Sequence, residues 1–215
     1  MHAREQERQG ERELLAAGAS ELGLRLSEGQ LEALLKLVDE VESTNAKFNL
    51  TAIRDRLGML QKHVLDSLTL QRFLHGQRIA DIGTGPGFPG LPLAIANPQR
   101  HFTLIESVAK KARFVQMTTE ALECANVEVV HQRSENYRPL QLFDTVTARA
   151  LSSIADFVAY AGHLCAPGGR LLAMKGRSPD AEIALLPKRY RVRAINRVRV
   201  PGLDDERHIV EISLA

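Results

Sequence analysis

Between positions 81 and 90 the chain reads Asp-Ile-Gly-Thr-Gly-Pro-Gly-Phe-Pro-Gly. Gly83, Gly85 and Gly87 stand in a GxGxG register that lets the backbone turn sharply and bring bare amides against a ligand, with a helix N-terminus next to them. Dinucleotide folds use GxGxxG instead, and Pro86 and Pro89 stiffen this loop. Any tight strand-to-helix turn can use glycine, so the loop alone is only moderately specific. Glu106 raises its meaning. It ends the next apolar run, 19 residues after Gly87, where a carboxylate can accept from both ribose hydroxyls. A glycine loop with a distal acid reads as an adenosine site. The GxGxG register, Asp81 at the end of the first strand and a terminal antiparallel strand pair favour a methyl donor over a hydride donor.

The elements that must position this loop follow from periodicity. Ser27 and Gln30 form a capping box, and Leu31, Leu34, Leu35, Val38 and Val41 recur behind it at helical spacing. A polar stretch, 45–51, interrupts; Leu57, Leu60, Val64, Leu68 and Leu70 then resume a helical pattern up to Gly76. Residues 1–75 are thus predicted as a helical extension and 76–215 as the ligand-binding domain. Strands are predicted at 79–82, 102–105, 127–130, 143–148, 170–174, 190–200 and 208–213, with helices at 91–96, 109–122, 154–164 and 181–186. Alternation of this kind implies an α/β fold, a mostly parallel seven-stranded sheet covered on both faces, with an antiparallel C-terminal strand after the Pro201-Gly202 turn.

Composition narrows the setting. The chain has 215 residues, 44% of them hydrophobic, enough to bury a substantial core. No run of about 18 apolar residues suggests a membrane span, and the polar start lacks the order of a signal peptide. Cys124 and Cys165, in separate apolar patterns, suggest neither a disulfide framework nor a metal site; a reducing cytoplasm, a monomer and no metal are expected. The net charge is +2, unevenly spread. Residues 1–45 carry ten acids against five bases, whereas 170–199 carry nine bases against Asp180 and Glu182. A basic face of that kind suits phosphates, or else is a solvated strand whose charges discourage edge pairing.

DIGTGPGFPGLPLAI, LIES followed by Lys110 and Lys111, DTVTARA, LLAMKG and PGLDDERHIV together resemble the signature blocks of the GidB/RsmG family, 16S ribosomal RNA guanine-N7 methyltransferases. The likeness runs from the 45–51 segment and the His63-Val64-Leu65-Asp66-Ser67 block to the C-terminus. It implies a class I Rossmann-like fold, S-adenosylmethionine as cofactor and 16S ribosomal RNA or the small subunit as partner, with the 530 loop as target region. It also implies that Gly83 and Phe88 line the cofactor, that Ser134 and Glu135 meet the adenine, and that Arg149 lies at the catalytic centre. The family commonly has Asp where Glu106 stands and often Ala where Ser134 stands. Without the resemblance, Phe88 reads as a core aromatic, Glu135 as a helix-start charge and Arg149 as a surface cation.

The chemistry open to such an enzyme is restricted by what is missing. Cys165 precedes Ala166-Pro167 and Cys124 lies in a helix pattern, so no Pro-Cys nucleophile for cytosine C5 is present. The loop after the fourth strand reads Thr147-Ala148-Arg149-Ala150, not the Asn/Asp-Pro-Pro-aromatic motif used for exocyclic amines. Guanine N7 has a lone pair and no proton, so its attack on a sulfonium methyl requires alignment rather than a general base. Arg133, Arg149, Lys175 and Arg207, each at or near a strand end, are the candidates to hold phosphates and the guanine edge. Otherwise they pair with acids such as Asp144, Glu135 or Asp205. His63 and Asp66 share a helix face and read as a simple polar pair, although the resemblance implies that their block packs near the active cleft; neither is assigned as a base. The alternatives are a methyltransferase of small molecules or proteins and a non-catalytic adenosine-binding module; the basic 170–199 segment argues against the first and the intact glycine loop with Glu106 against the second.

Overall fold

The computed structural model describes residues 2–150 and 153–215. Helix α1 (His2–Glu21) is polar, and ion pairs secure it to the next helix: Arg8 meets Glu32 and Asp39, and Arg12 meets Glu28 and Glu32. The capping box at Ser27 and Gln30 starts α2 (Glu28–Asn45), whose Leu31, Leu34, Leu35, Val38 and Val41 are buried as their spacing predicts. The polar stretch after α2 is folded by one side chain. Asn45 Oδ1 accepts from the Leu50 and Thr51 amides at 2.9 and 3.0 Å, and its Nδ2 donates to the Ile53 carbonyl.

The next segment departs from the predicted α-helix. It runs as α3 (Arg56–Gly58), a π-helical stretch (Met59–Leu65) and α4 (Asp66–Leu68). The wider turn changes which residues face inward. Met59, Leu60, Val64, Leu65 and Leu68 are buried, whereas Leu57, expected in the apolar stripe, is 52% exposed.

The sheet is built from β1 (Arg78–Ile82), β2 (His101–Glu106), β3 (Val127–His131), β4 (Phe143–Arg149), β5 (Cys165–Lys175), β6 (Tyr190–Val198) and β7 (Arg207–Leu214). Between them lie α5 (Gly90–Ala96), α6 (Ala109–Ala121), α7 (Ile154–Ala161) and α8 (Asp180–Ile183). The strand order is β3-β2-β1-β4-β5-β7-β6, with β7 antiparallel to both neighbours and the other pairings parallel. Strand β5 starts earlier than predicted, at Cys165, because the register against β4 shifts between Phe143 and Thr145. Cys124 sits in the turn after α6, not within a helix.

Successive residues of β5 point to opposite faces. Leu172 and Met174 join the core under the N-terminal helices, with Leu60 and Leu65, while Leu171 and Ala173 pack with Phe157 and Val158 of α7. Each of the larger side chains among them contributes about 1.5–3 kcal/mol on full burial. The chain runs outward from β1 to β3 and then crosses back to β4. That reversal leaves a crevice at the carboxyl ends of β1 and β4, where open α/β sheets bind ligands.

Candidate active site

The glycine loop leaves β1 and is tied to the end of β2: Gly83 and Thr84 N–H donate to the Ile105 carbonyl at 2.8 and 3.3 Å. Gly83 and Gly85 adopt φ of +64° and +59°, the left-handed region that a Cβ disfavours. A Cβ on Gly83 would meet nothing within 4 Å, and one on Gly85 only the Gly83 carbonyl at 3.9 Å, so both face open space. Gly87 and Gly90 serve packing instead, since a Cβ there would strike Leu91, or Leu104 and Asp81.

Glu106 is 5% exposed and oriented over this space. Its Oε2 accepts from Gly85 N–H at 2.9 Å and its Oε1 from Val108 N–H at 2.8 Å. Each carboxylate oxygen retains a lone pair for a further donor. Asp81 lies wholly buried behind the loop; its Oδ2 accepts from Gly90 N–H at 2.9 Å, while its Oδ1 and the Thr84 hydroxyl have no hydrogen-bond partner among the described residues. Burial pushes the Asp81 carboxyl up to about 7, opposed by nearby Thr84, by the Gly90 amide and by Arg149, and reinforced by Glu106.

A cleft of about 500 Å³ opens at the carboxyl ends of β4 and β5 and the start of β7, with Lys62, His63, Asp66, Arg149, Lys175 and Arg207 on its walls. Arg149 Nη1 donates to Asp66 Oδ2 and to the Lys62 carbonyl, each at 3.1 Å, and its Nη2 donates to His63 Nδ1 at 3.3 Å. Arg207 Nε donates to the other Asp66 oxygen at 2.9 Å. Lys175 pairs with Glu182 at 2.9 Å. Ala150, just past Arg149, holds φ of +60°, a conformation that costs a non-glycine residue on the order of 1–3 kcal/mol.

His63 is neutral. Burial first, then the Arg149 charge, lowers its imidazolium to about 3. Because Arg149 can only donate to Nδ1, the ring proton resides on Nε2, which donates to Thr51 Oγ1 at 2.8 Å. The Phe88 ring stacks on this imidazole, centroids 4.6 Å apart and planes 14° from parallel, with the Arg149 guanidinium 5.5 Å from the Phe88 centroid.

Arg149, Lys175 and Arg207 are therefore together, whereas Arg133 is exposed at the end of β3, three strands from β4. Ser134 is buried in the 3₁₀ turn beside it, and its hydroxyl donates to Glu135 Oε2 at 3.1 Å. Of the three acids expected near the cations, only Asp205 lies close to one, 3.7 Å from Arg207. Asp144 instead accepts from the Gln77 and Arg78 amides. The acid that joins Arg149 and Arg207 is Asp66, which the sequence places on a helix face with His63, in a block that the resemblance sets near the cleft, without naming these partners. Thr51 and the Lys62 carbonyl were not identified as part of the site. The signals available were the polar 45–51 interruption and the His63–Asp66 spacing.

The arginines of β6 stand apart from the cleft. Arg191, Arg193 and Arg197 alternate outward on the edge strand. The strand ends at the cleft side of the sheet, where Val198 pairs with Arg207.

Solved structures share this fold. The glycopeptide N-methyltransferase MtfA complexed with S-adenosyl-L-homocysteine is 12% identical, with a TM-score of 0.61 over 71% of this chain and 87% of that one. TrmN from Thermus thermophilus is 18% identical, with a TM-score of 0.57 over 73% of this chain and 53% of that one. Sequence relatives are far nearer. Proteins named ribosomal RNA small subunit methyltransferase G are 45% identical in Nitrosococcus oceani, covering 93% of each chain, and 44% identical in Idiomarina loihiensis, covering 88% of this chain and 92% of that one. The family model described as GidB, rRNA small subunit methyltransferase G, matches residues 30–210, and the chain belongs to that family.

Proposed function

We propose that this protein transfers the methyl group of S-adenosylmethionine to N7 of a guanine in 16S ribosomal RNA, in the cytoplasm, with residues 76–215 as the transferring unit and residues 1–75 as its helical extension. Family membership supports a ribosomal RNA substrate. The residues present fit the cofactor. Open space beside Gly83 and Gly85, their bare amides, and the buried Glu106 carboxylate supply a cradle for adenosine. Ser134 and Glu135 would bound the adenine, Gly87 and Phe88 would support the loop, and Arg149 would stand where cofactor and guanine meet. When bound, the cofactor supplies an electrophilic methyl on a sulfonium.

The observation that carries the reading is a cationic cleft with no free base among its described residues. His63 accepts from Arg149 on one nitrogen and donates to Thr51 from the other, so it has no lone pair left to take a proton. N7 needs none. Its lone pair forms the new carbon–nitrogen bond as the carbon–sulfur bond breaks, and the positive charge passes from sulfur to the base. Arg149, Lys175 and Arg207 would therefore act on the phosphates and the guanine O6 edge, aligning N7 and excluding water. Arg133 would meet RNA outside the cleft. The β6 arginines would hold RNA backbone without reading sequence.

The test is to incubate the protein with small-subunit particles and labelled methyl donor and to map RNA nucleosides by mass. One 7-methylguanosine, in the 530 loop, is expected. Label in another nucleoside, or in protein alone, overturns the reading.

A further inference from the structure

We propose that Asp66 is a positioning residue, a single buried carboxylate that sets the aim of both Arg149 and Arg207 across the cleft. The inference rests on the reading above, in which those cations face RNA. Asp66 is 3% exposed, and its two oxygens are divided between the two arginines, Oδ2 to Arg149 Nη1 at 3.1 Å and Oδ1 to Arg207 Nε at 2.9 Å. A carboxylate is the group that can do this, since it offers acceptors on both oxygens and a charge shared between them.

The local fold is arranged around that carboxylate. The π-helical stretch Met59–Leu65 ends at Asp66, and its wide turn brings the Lys62 carbonyl, His63 Nδ1 and Asp66 within reach of one guanidinium. Single π turns of this kind are frequent at functional sites. Neutral His63, held by Thr51 on its far nitrogen and stacked on Phe88, fixes Arg149 from a second side without adding charge. Arg149 is thus held by a carboxylate, a carbonyl and an imidazole. Arg207 is held by Asp66, its own neighbour's carbonyl at Glu206 and, more distantly, Asp205. Among the described residues, Asp66 is the group common to both.

Asp66→Asn and Asp66→Glu separate aiming from packing. Asn keeps the shape but offers one carbonyl oxygen and turns an N–H₂ toward the second arginine. Glu keeps the charge and both acceptors but adds a methylene to a buried site. If Asp66 aims the cations, Asn should lower kcat for RNA methylation at least tenfold, with S-adenosylmethionine affinity within twofold of the parent, and Glu should retain more transfer than Asn. Arg207→Ala added to Asp66→Asn should cost less than the product of the two single losses. If Asp66 only fills space, the order reverses, with Asn mild and Glu harsh. That order, Asn activity within twofold of the parent, or failure of both variants to fold overturns the assignment. A parent protein that leaves the guanine unmethylated in the same assay would instead remove the functional reading itself.

Discussion

The cations of the cleft and the cations of β6 belong to one sheet, the first on its interior strands and the second on its edge, yet they are built differently. Arg149, Lys175 and Arg207 have side chains 15–22% exposed, and each is paired with an acid at 2.9–3.1 Å. Arg197 on β6 is 73% exposed and only grazes Glu206 at 3.5 Å. A guanidinium that is largely desolvated and held by several acceptors has one orientation, so it can select a geometry. An exposed one is screened within about 8 Å at physiological salt and contributes a field more than a contact. The difference teaches that charge alone does not distinguish a held, aimed cation from a solvated one; partners and burial do.

The sharpest way to break this comparison is to remove the cofactor from it. Gly85→Val puts a side chain into the open space at φ of +59°. Calorimetry should show S-adenosylmethionine binding lost, while RNA affinity stays within twofold; a joint loss would mean that the two cation groups are not independent of the loop. Next in size, Arg149→Ala and Lys175→Ala should each lower single-turnover methyl transfer per folded molecule at least tenfold, about 1.4 kcal/mol of transition-state stabilisation. Transfer that survives in folded variants would place these cations with the acids they pair with and nothing more.

The β6 arginines should give a smaller and different effect. Replacing Arg191, Arg193 and Arg197 with Gln should reduce the slope of log affinity against log salt by about 2 to 3, one phosphate each, and leave cofactor affinity unchanged. An unaltered slope would make β6 a solvated edge. The smallest change at working pH is expected from His63. Its folded-state value near 3 lies below the ordinary 6.5, so between those limits the unfolded chain binds the extra proton. Stability is therefore full above pH 6.5 and falls as pH drops toward 3, by at most about 1.4 kcal/mol per unit. Transfer should show no inflection near 6.5, and His63→Gln should flatten the acid limb of thermal stability; an inflection near 6.5 that His63→Gln abolishes would show the imidazole titrating in the site.

Much of this was legible in the chain because it is local. Short apolar runs marked the parallel strands and an alternating run marked β6, Ser27 and Gln30 marked the start of α2, and Gly83, Gly85 and Glu106 lie within one strand–loop–helix–strand unit. The helical extension was legible only in part. The long polar α1 is held by ion pairs to α2 that no periodicity announces, Arg8 to Asp39 being 31 residues apart. The π-helical turn escaped because an apolar spacing of three and four fits an ordinary helix equally well. The pairing of Asp66 with Arg149 and Arg207 escaped for a plainer reason. The partners lie 83 and 141 residues away, and pattern reasoning sees only what adjoins a residue in sequence.

Strand β7 is laid down after every other strand yet occupies an interior place in the sheet, between β5 and β6. During synthesis β5 and β6 thus wait as open edges, and the last cation of the cleft, Arg207, is the first residue of the strand that joins them. A cleft that includes Arg207 is therefore finished only once this seam is closed. Unpaired edges of that kind are also where chains pair with one another. A chain ending before Arg207 would therefore meet its hazard in aggregation sooner than in weakened catalysis.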